Sequence, residues 1–148
     1  MTTSLTDSAR SWPSYTSKQY HYCLRYPPDW VVDEERPEML TLRSADSDIQ
    51  LSVSFWQMDC PRMQAIFRGP PRFNLHLLRE FTTRLSNQDT TAFEFRDTIA
   101  RAKETRALLP ASGGCYEVRW RRSESAVHPE PDAAAVETIL STFELHSD

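Results

Sequence analysis

Ile49-Gln50-Leu51-Ser52-Val53-Ser54-Phe55-Trp56 changes character at every step. Ile49, Leu51, Val53 and Phe55 point one way, while Gln50, Ser52, Ser54 and Trp56 point the other. A period of two in β-branched and aromatic residues predicts a strand buried on one face. Upstream, Met39-Leu40-Thr41-Leu42 reads as a shorter strand, and residues 44–48 supply a polar turn between the two. Strands joined in this way predict an antiparallel hairpin.

The same alternation recurs on both sides of this hairpin. Tyr20, Tyr22, Leu24 and Tyr26 alternate with His21, Cys23 and Arg25, and Pro27-Pro28-Asp29 must end that run, since proline cannot donate to a ladder. Trp30-Val31-Val32 follows, then a charged turn over 33–37. Residues 59–73 hold Pro61, Gly69, Pro70 and Pro71, which leaves room for one helical turn over 62–67. Asn74 is positioned as an N-cap, and Leu75, Leu78, Phe81, Thr82 and Leu85 share one helical face, so a helix is expected over 75–86. Phe93 and Phe95 restart the alternation. The composition of 98–109 favours helix, but its place before Pro110-Ala111-Ser112-Gly113-Gly114 favours the first arm of a hairpin, and it is read as strand. In 115–122, Tyr116, Val118 and Trp120 face one way and Glu117, Arg119 and Arg121 the other. Asp132 caps an expected helix over 133–142, with Val136, Ile139, Leu140 and Phe143 as its apolar stripe. The fold class is α+β, an antiparallel sheet with helices packed on it. Residues 1–16 read as a flexible leader pinned at Trp12, and 17–148 as a single domain.

Bulk properties narrow the function. A formal charge of −4 gives the chain no general attraction for nucleic acid or anionic lipid. No apolar run approaches the ~20 residues needed to cross a bilayer, so no membrane insertion is expected. Residues 1–8 lack the basic start and apolar core of a secretory signal. Cys23, Cys60 and Cys115 are scattered and odd in number, without Cys-x-x-Cys, and read as three reduced thiols. A single bridge stays open, because spacing gives no distances. Together these features predict a cytoplasmic protein.

Two stretches resemble a known family. Tyr26-Pro27-Pro28-Asp29-Trp30 at the end of an early strand resembles the Phe-x-Tyr-Pro-x-x-Trp opening of the PsbP-like superfamily. Tyr116-Glu117-Val118-Arg119-Trp120, the final helix, and Ile139-Leu140-Ser141-Thr142-Phe143 resemble its closing strand and Ile-Leu-x-Ser/Thr-Phe signature. The superfamily includes extrinsic photosystem II subunits, a nuclear Ran-binding import factor and bacterial adaptor chaperones of type VI secretion effectors. The resemblance implies an α-β-α sandwich and roles in binding rather than catalysis. The chain departs from it in two ways. It carries no export signal of the photosystem branch, and the charged stretch 97–106 replaces the Gly-rich hairpin of the bacterial adaptors.

A search for catalytic chemistry returns little. His21 and Cys23 lie two apart, and in a strand they share a face, so a thiol–imidazole pair defines an alternative reading as a small thiol-dependent hydrolase. There is no Gly-x-Ser-x-Gly elbow, and three glycines in the whole chain leave no phosphate-cradling loop. No cofactor is implied. His21, His76, His128 and His146 form no helical i, i+4 pair, and Asp46 and Asp48 lack the rest of a calcium loop, so no metal site is assigned. Arg119, Arg121 and Arg122 around Trp120 read as ordinary charges on a strand, and nucleic acid is not an expected partner.

The polar face of 49–56 is the feature with most functional promise. Ser52, Ser54 and Trp56 line it, and Met58, Met63, Ile66 and Phe67 in the adjoining loop extend it, unless that loop simply folds over the sheet. With Arg119 to select charge, these residues predict a non-enzymatic protein-binding module: an adaptor, chaperone or toxin-neutralising, immunity-type protein. Its partner would be an effector, toxin or complex subunit, with a homodimer left open. A third reading is a small-molecule sensor with an apolar pocket between sheet and helices.

Overall fold

The computed structural model describes residues 9–36, 39–46, 48–70, 74–125 and 129–145. In chain order these form β1 (Ser14–Ser17), β2 (Tyr22–Arg25), β3 (Val31–Arg36), β4 (Met39–Arg43), β5 (Ile49–Trp56), α1 (Cys60–Arg68), β6 (Leu75–Leu85), β7 (Gln88–Asp97), β8 (Ala102–Ala111), β9 (Gly114–Ser123), α2 (Pro129–Thr142) and β10 (Glu144–Leu145). The large sheet runs β3-β4-β5-β9-β8-β7-β6, and a small sheet runs β1-β2-β10. Every neighbouring pair is antiparallel. The small sheet and α2 pack on one face of the large sheet, and α1 packs on the other. This is the α+β sandwich expected from the sequence.

Register explains the core. Leu51 lies opposite Trp120, Val53 opposite Val118 and Phe55 opposite Tyr116. The apolar sets of β5 and β9 therefore fall on the same inner face. There they join Leu40 and Leu42 from β4 and Ala107 and Leu109 from β8. Tyr22 and Leu24 close over them from β2, with Val136, Ile139, Leu140 and Phe143 from α2 and its C-terminal end. The Tyr22 ring stacks on Phe143 at 5.6 Å and meets Tyr116 edge-on at 6.1 Å. Full burial of each aliphatic side chain here is worth about 1.5–3 kcal/mol. The closing motif noted in the sequence thus seals the small sheet to the large one.

Several expectations are corrected. Residues 75–85 are not a helix but β6, the edge strand of the large sheet. The register with β7 shifts between Leu77 and Arg79, so Leu78 is an extra residue. Such a bulge turns the following side chains to the opposite face. Leu75 lies in the outer core, while Phe81 and Leu85 reach the inner one. A strand with a bulge thereby imitates the three- and four-residue spacing of a helix. The hairpin closes at Ser86-Asn87, both at positive φ (50° and 60°), as a two-residue primed turn demands.

Differences at the two ends of the chain and in β3 are smaller. Within the expected leader, Ala9–Ser11 form a 3-10 turn, 14–17 form β1, and Trp12 is buried; residues 1–8 lie outside the described residues. β3 continues through 33–36, read from the sequence as a turn, across a bulge on the other sheet edge. α2 begins at Pro129, so Asp132 lies inside the helix rather than capping it. The stretch 98–109, read as strand, opens with a turn and then forms β8.

The three thiols are not all reduced. Cys60 and Cys115 form a disulfide with Cα atoms 5.3 Å apart, leaving Cys23 free. Cys115 follows Gly114 at the start of β9. A side chain at Gly114 would overlap the Trp56 carbonyl oxygen and stand 2.7 Å from the Phe55 ring. The glycine is required by that close approach of backbones. The bridge ties α1 to this point and spans 55 residues of chain. Replacing Cys60 and Cys115 together by serine is expected to lower unfolding stability by about 4 kcal/mol on the loop-entropy estimate. Denaturant melts of the oxidised protein and the double variant check this. Equal midpoints would contradict a native bridge.

Candidate functional site

α1 divides the outer face of the large sheet into two halves. Asp59 caps the helix by accepting the Arg62 backbone N–H at 2.8 Å, and Pro61 sits in the first turn, where it costs no helical hydrogen bond. Cys60, Met63 and Phe67 recur at helical spacing and face the sheet. They cover Phe93, Phe95, Leu108 and Cys115 as a second core. The Phe67 ring meets Phe93 and Phe95 edge-on at 5.2 and 5.7 Å. Arg68 ties the helix to β6 through two bonds to Glu80, at 2.6 and 3.1 Å.

The other half stays open and is built from charge. The outward positions of β5 and β9 lie in register: Gln50 opposite Arg121, Ser52 opposite Arg119, Ser54 opposite Glu117. β8 adds Glu104 opposite Arg121 and Arg106 opposite Arg119. Glu104 is 1% exposed. One of its oxygens accepts from Arg106 Nε at 2.7 Å, the other from Arg121 Nε at 3.1 Å. Arg121 Nη2 also reaches Asp97 at 3.0 Å. Asp97 Oδ1 in turn accepts the backbone N–H groups of Ile99 and Ala100 and the Asn74 side chain. The Ala100 amide is the largest of the influences that hold the Asp97 carboxyl below its ordinary range, joined by Asn74, Arg121 and Ile99 against the effect of burial. Asn74 thus binds the β7–β8 turn instead of capping a helix.

Glu117 is the strained member of this group. It is 4% exposed, and burial pushes its carboxyl up. The charges of Arg106 and Arg119 and a hydrogen bond from the Trp56 indole pull it back, while Glu104 pushes it further up. Arg119 is half-buried and, among the described residues, no carboxylate lies within ion-pair distance of its guanidinium. It borders a polar cleft of about 220 Å³ with Gln50, Ser52, Glu104 and Arg121. A second cleft of about 250 Å³ adjoins it toward Arg43 and Ser123. Ser52 is held by Thr41, Oγ to Oγ at 3.4 Å, whereas Trp56 is 47% exposed at the end of β5.

The structure therefore aligns Ser52, Ser54, Trp56 and Arg119 on one face of the sheet, but Ser52 and Ser54 are buried and only Trp56 and Arg119 are open to a partner. It does not bring the loop residues there as contacts. Met63 is 5% exposed inside the second core and is unavailable to a partner; Phe67 is half-buried in the same core, and Met58 packs against it. Ile66 is exposed, but on the far side of α1, at a groove with Leu75 and Leu77. The loop does fold over the sheet. Sequence reasoning missed Glu104 and Arg106 because the strand character of β8 was ambiguous; the alternation of Glu104, Arg106 and Leu108 carries the signal.

The His21–Cys23 pair is not an activated thiol. His21 sits in a turn before β2 at φ 55°, outside the strand that was to align the two. Burial pushes the Cys23 thiol up and the Glu144 carboxylate pushes the same way, against Arg25. That environment disfavours the thiolate a nucleophile needs.

Comparison with solved structures gives the fold its relatives. The chain is similar to cyanobacterial PsbP (CyanoP) from Synechocystis sp. PCC 6803, with TM-score 0.59, 15% identity, and coverage of 92% of this chain and 93% of the other. It is similar to the Saccharomyces cerevisiae Ran-binding protein Mog1p, with TM-score 0.56, 9% identity, and coverage of 91% and 95%. LpqN, involved in cell envelope biogenesis of Mycobacterium tuberculosis, matches with TM-score 0.57, 10% identity, and coverage of 98% of both chains. A Bacteroides thetaiotaomicron structure matches with TM-score 0.59 and 11% identity over 91% of this chain, which spans 48% of that longer one. Neither a protein-family model nor a curated protein matches the sequence. At these identities the likeness is one of fold, and the fold is PsbP-like, as the two motifs implied.

Glu117 and Asp97 predict opposite responses to pH. Glu117 is protonated more readily in the fold than in the unfolded chain, so its penalty is absent below the unfolded pKa of about 4.3 and grows as pH rises above it. Glu117→Gln is expected to raise the melting midpoint at pH 7, with the gain vanishing in acid. Asp97, held low, stabilises the fold above an unfolded pKa of about 3.9, and that contribution is lost as pH falls. Asp97→Asn is expected to lower the midpoint at pH 7, with the loss fading in acid. Thermal melts of both variants from pH 3 to 8, as an order-of-magnitude range around those values, check the signs.

Proposed function

We propose that this chain is a non-enzymatic protein-binding module that offers the open half of its outer face to an acidic segment of a partner protein. The observation that carries this reading is Arg119. A half-buried guanidinium without an ion-pair partner among the described residues, set in a polar cleft, is a site waiting for a carboxylate. Its neighbours Arg106 and Arg121 are already held by Glu104. Trp56 stands at the rim with its ring half in water and near enough to Glu117 to ease that carboxyl's charge, the amphipathic pose that makes tryptophan an interface anchor. That Mog1p, of the same fold, is a Ran-binding protein supports a use of this architecture in protein recognition. The role we assign is that of an adaptor, chaperone or immunity-type partner of an effector, toxin or complex subunit.

The thiol-hydrolase alternative finds no support in the surroundings of Cys23. Among the described residues no helix is long and apolar enough to cross a membrane. The Cys60–Cys115 bridge supports an oxidising compartment in place of the cytoplasm.

The test is recovery of a complex from the native host with tagged wild-type protein and with Trp56→Ala and Arg119→Glu. Wild type is expected to hold one stoichiometric partner. Each variant is expected to weaken that complex by roughly thirtyfold or more, the scale of an interface hot spot, while still folding cooperatively with a lowered melting midpoint, since both side chains ease the charge of buried Glu117. Absence of a stoichiometric partner, or a complex indifferent to both substitutions, would overturn the proposal.

A further inference from the structure

β6 ends the large sheet on the side away from β3, and among the described residues only β7 pairs with it. The two-residue turn at Ser86-Asn87 makes Leu85 and Gln88 a pair that exchange both backbone hydrogen bonds. Such pairs recur at every second residue, so Thr83, Phe81 and Arg79 also direct their backbone groups to β7. Those of Glu80, Thr82 and Arg84 point outward, and among the described residues no hydrogen bond reaches them. An open row of donors and acceptors is a template for another strand. We propose that the strand it takes is β6 of a second copy of this chain, antiparallel about a two-fold axis at Thr82, so that two large sheets join into one.

Charge sets that register. Glu80, Thr82 and Arg84 alternate onto one face, and all three are exposed. A two-fold axis at Thr82 places Glu80 of each copy opposite Arg84 of the other, so the attraction occurs twice. An axis at Glu80 or at Arg84 would set that residue against itself, like against like. An axis at Phe81 or Thr83 would match neither charge with its opposite. Both side chains have companions within their own copy: Arg68 holds Glu80 at 2.6 Å, and Asp89 lies 3.8 Å from Arg84. These fit the same register. Across the seam the signs alternate from Arg68 to Glu80, then to Arg84 and Asp89 of the second copy, and no like charges become neighbours.

The uncharged positions agree. Phe81 and Thr83 are half-buried on the inner face, and this register sets each opposite the other, aromatic against β-branched. Thr82 meets Thr82. A bulge ordinarily protects an edge from such pairing. Here the bulge at Leu78 falls opposite Ser86 of the second copy, so the irregular points of both strands lie outside the matched stretch 79–85.

The test is sedimentation equilibrium of the oxidised full chain. Wild type is expected to dimerise with a Kd on the order of 10 μM, the scale of a small interface. Glu80→Arg and Arg84→Glu, each alone, are expected to weaken the dimer about tenfold or more while keeping a cooperative thermal melt, because each makes both charge contacts repulsive. An equimolar mixture of the two variants is expected to dimerise again, since the mixed pair has opposite charges at both contacts. Misfolding of either variant would not produce that recovery. Trp56→Ala and Arg119→Glu are expected to leave the dimer unchanged, which separates this edge from the outer-face surface. A wild-type chain still monomeric at about 1 mM, a dimer that neither charge reversal weakens, or a mixture no more associated than its components would each overturn the assignment.

Discussion

The pairing of β5 with β9 is the constraint on which the other features rest. Both strands alternate, and the register sets Val53 against Val118 while Ser54 meets Glu117. A slip of one residue would drive Glu117 and Arg119 into the apolar core and turn Val53 or Val118 to water. Because the period is two, no smaller error is available, so burial on one side specifies the whole pairing. The inner core, the small sheet and α2 follow from the apolar side of this pair. The ionic surface follows from the other.

That outer surface is polarised by a single short helix. α1 covers the apolar part through Met63 and Phe67, and the disulfide locks its first turn to β9. The uncovered part could have remained an ordinary solvated sheet face. Instead Glu104 is sunk between two arginines and almost sealed from water. Buried ion pairs add little net stability, since desolvation offsets attraction, but they hold their members in one geometry. Here the consequence is that two arginines are held and a third, Arg119, is not. Glu117 beneath Trp56 adds a carboxyl that burial makes reluctant to ionise. This surface therefore combines fixed neighbours with one guanidinium, Arg119, that no carboxylate among the described residues pairs at contact distance.

The fold by itself is permissive about function. At 9–15% identity this architecture is shared with cyanobacterial PsbP, a Ran-binding protein and a protein involved in cell envelope biogenesis. In this chain the two faces of the large sheet carry different charges. The outer face carries Arg119 beside the pair of arginines held by Glu104. The inner face carries a cleft beside α2 lined by apolar side chains and by charges of both signs. β9 serves both faces with alternate residues: Arg119 and Arg121 outside, Trp120 and Arg122 inside.

The sequence by itself determined the strands whose two faces differ sharply in polarity: β2, β4, β5 and β9. It also determined the α2 stripe and the motif residues that close the small sheet. In each, local periodicity and burial agree, so pattern alone suffices. It also placed Ser52, Ser54 and Trp56 on a common face, and Arg119 on one face of β9. Only the tertiary structure decided the rest. A one-residue bulge at Leu78 gave an edge strand the spacing of a helix, and no local pattern separates the two. Cys60 and Cys115 meet across 55 residues, and Glu104 finds Arg121 on the neighbouring strand. Such contacts depend on which strands become neighbours, and strand order is a property of the folded chain rather than of any segment in it.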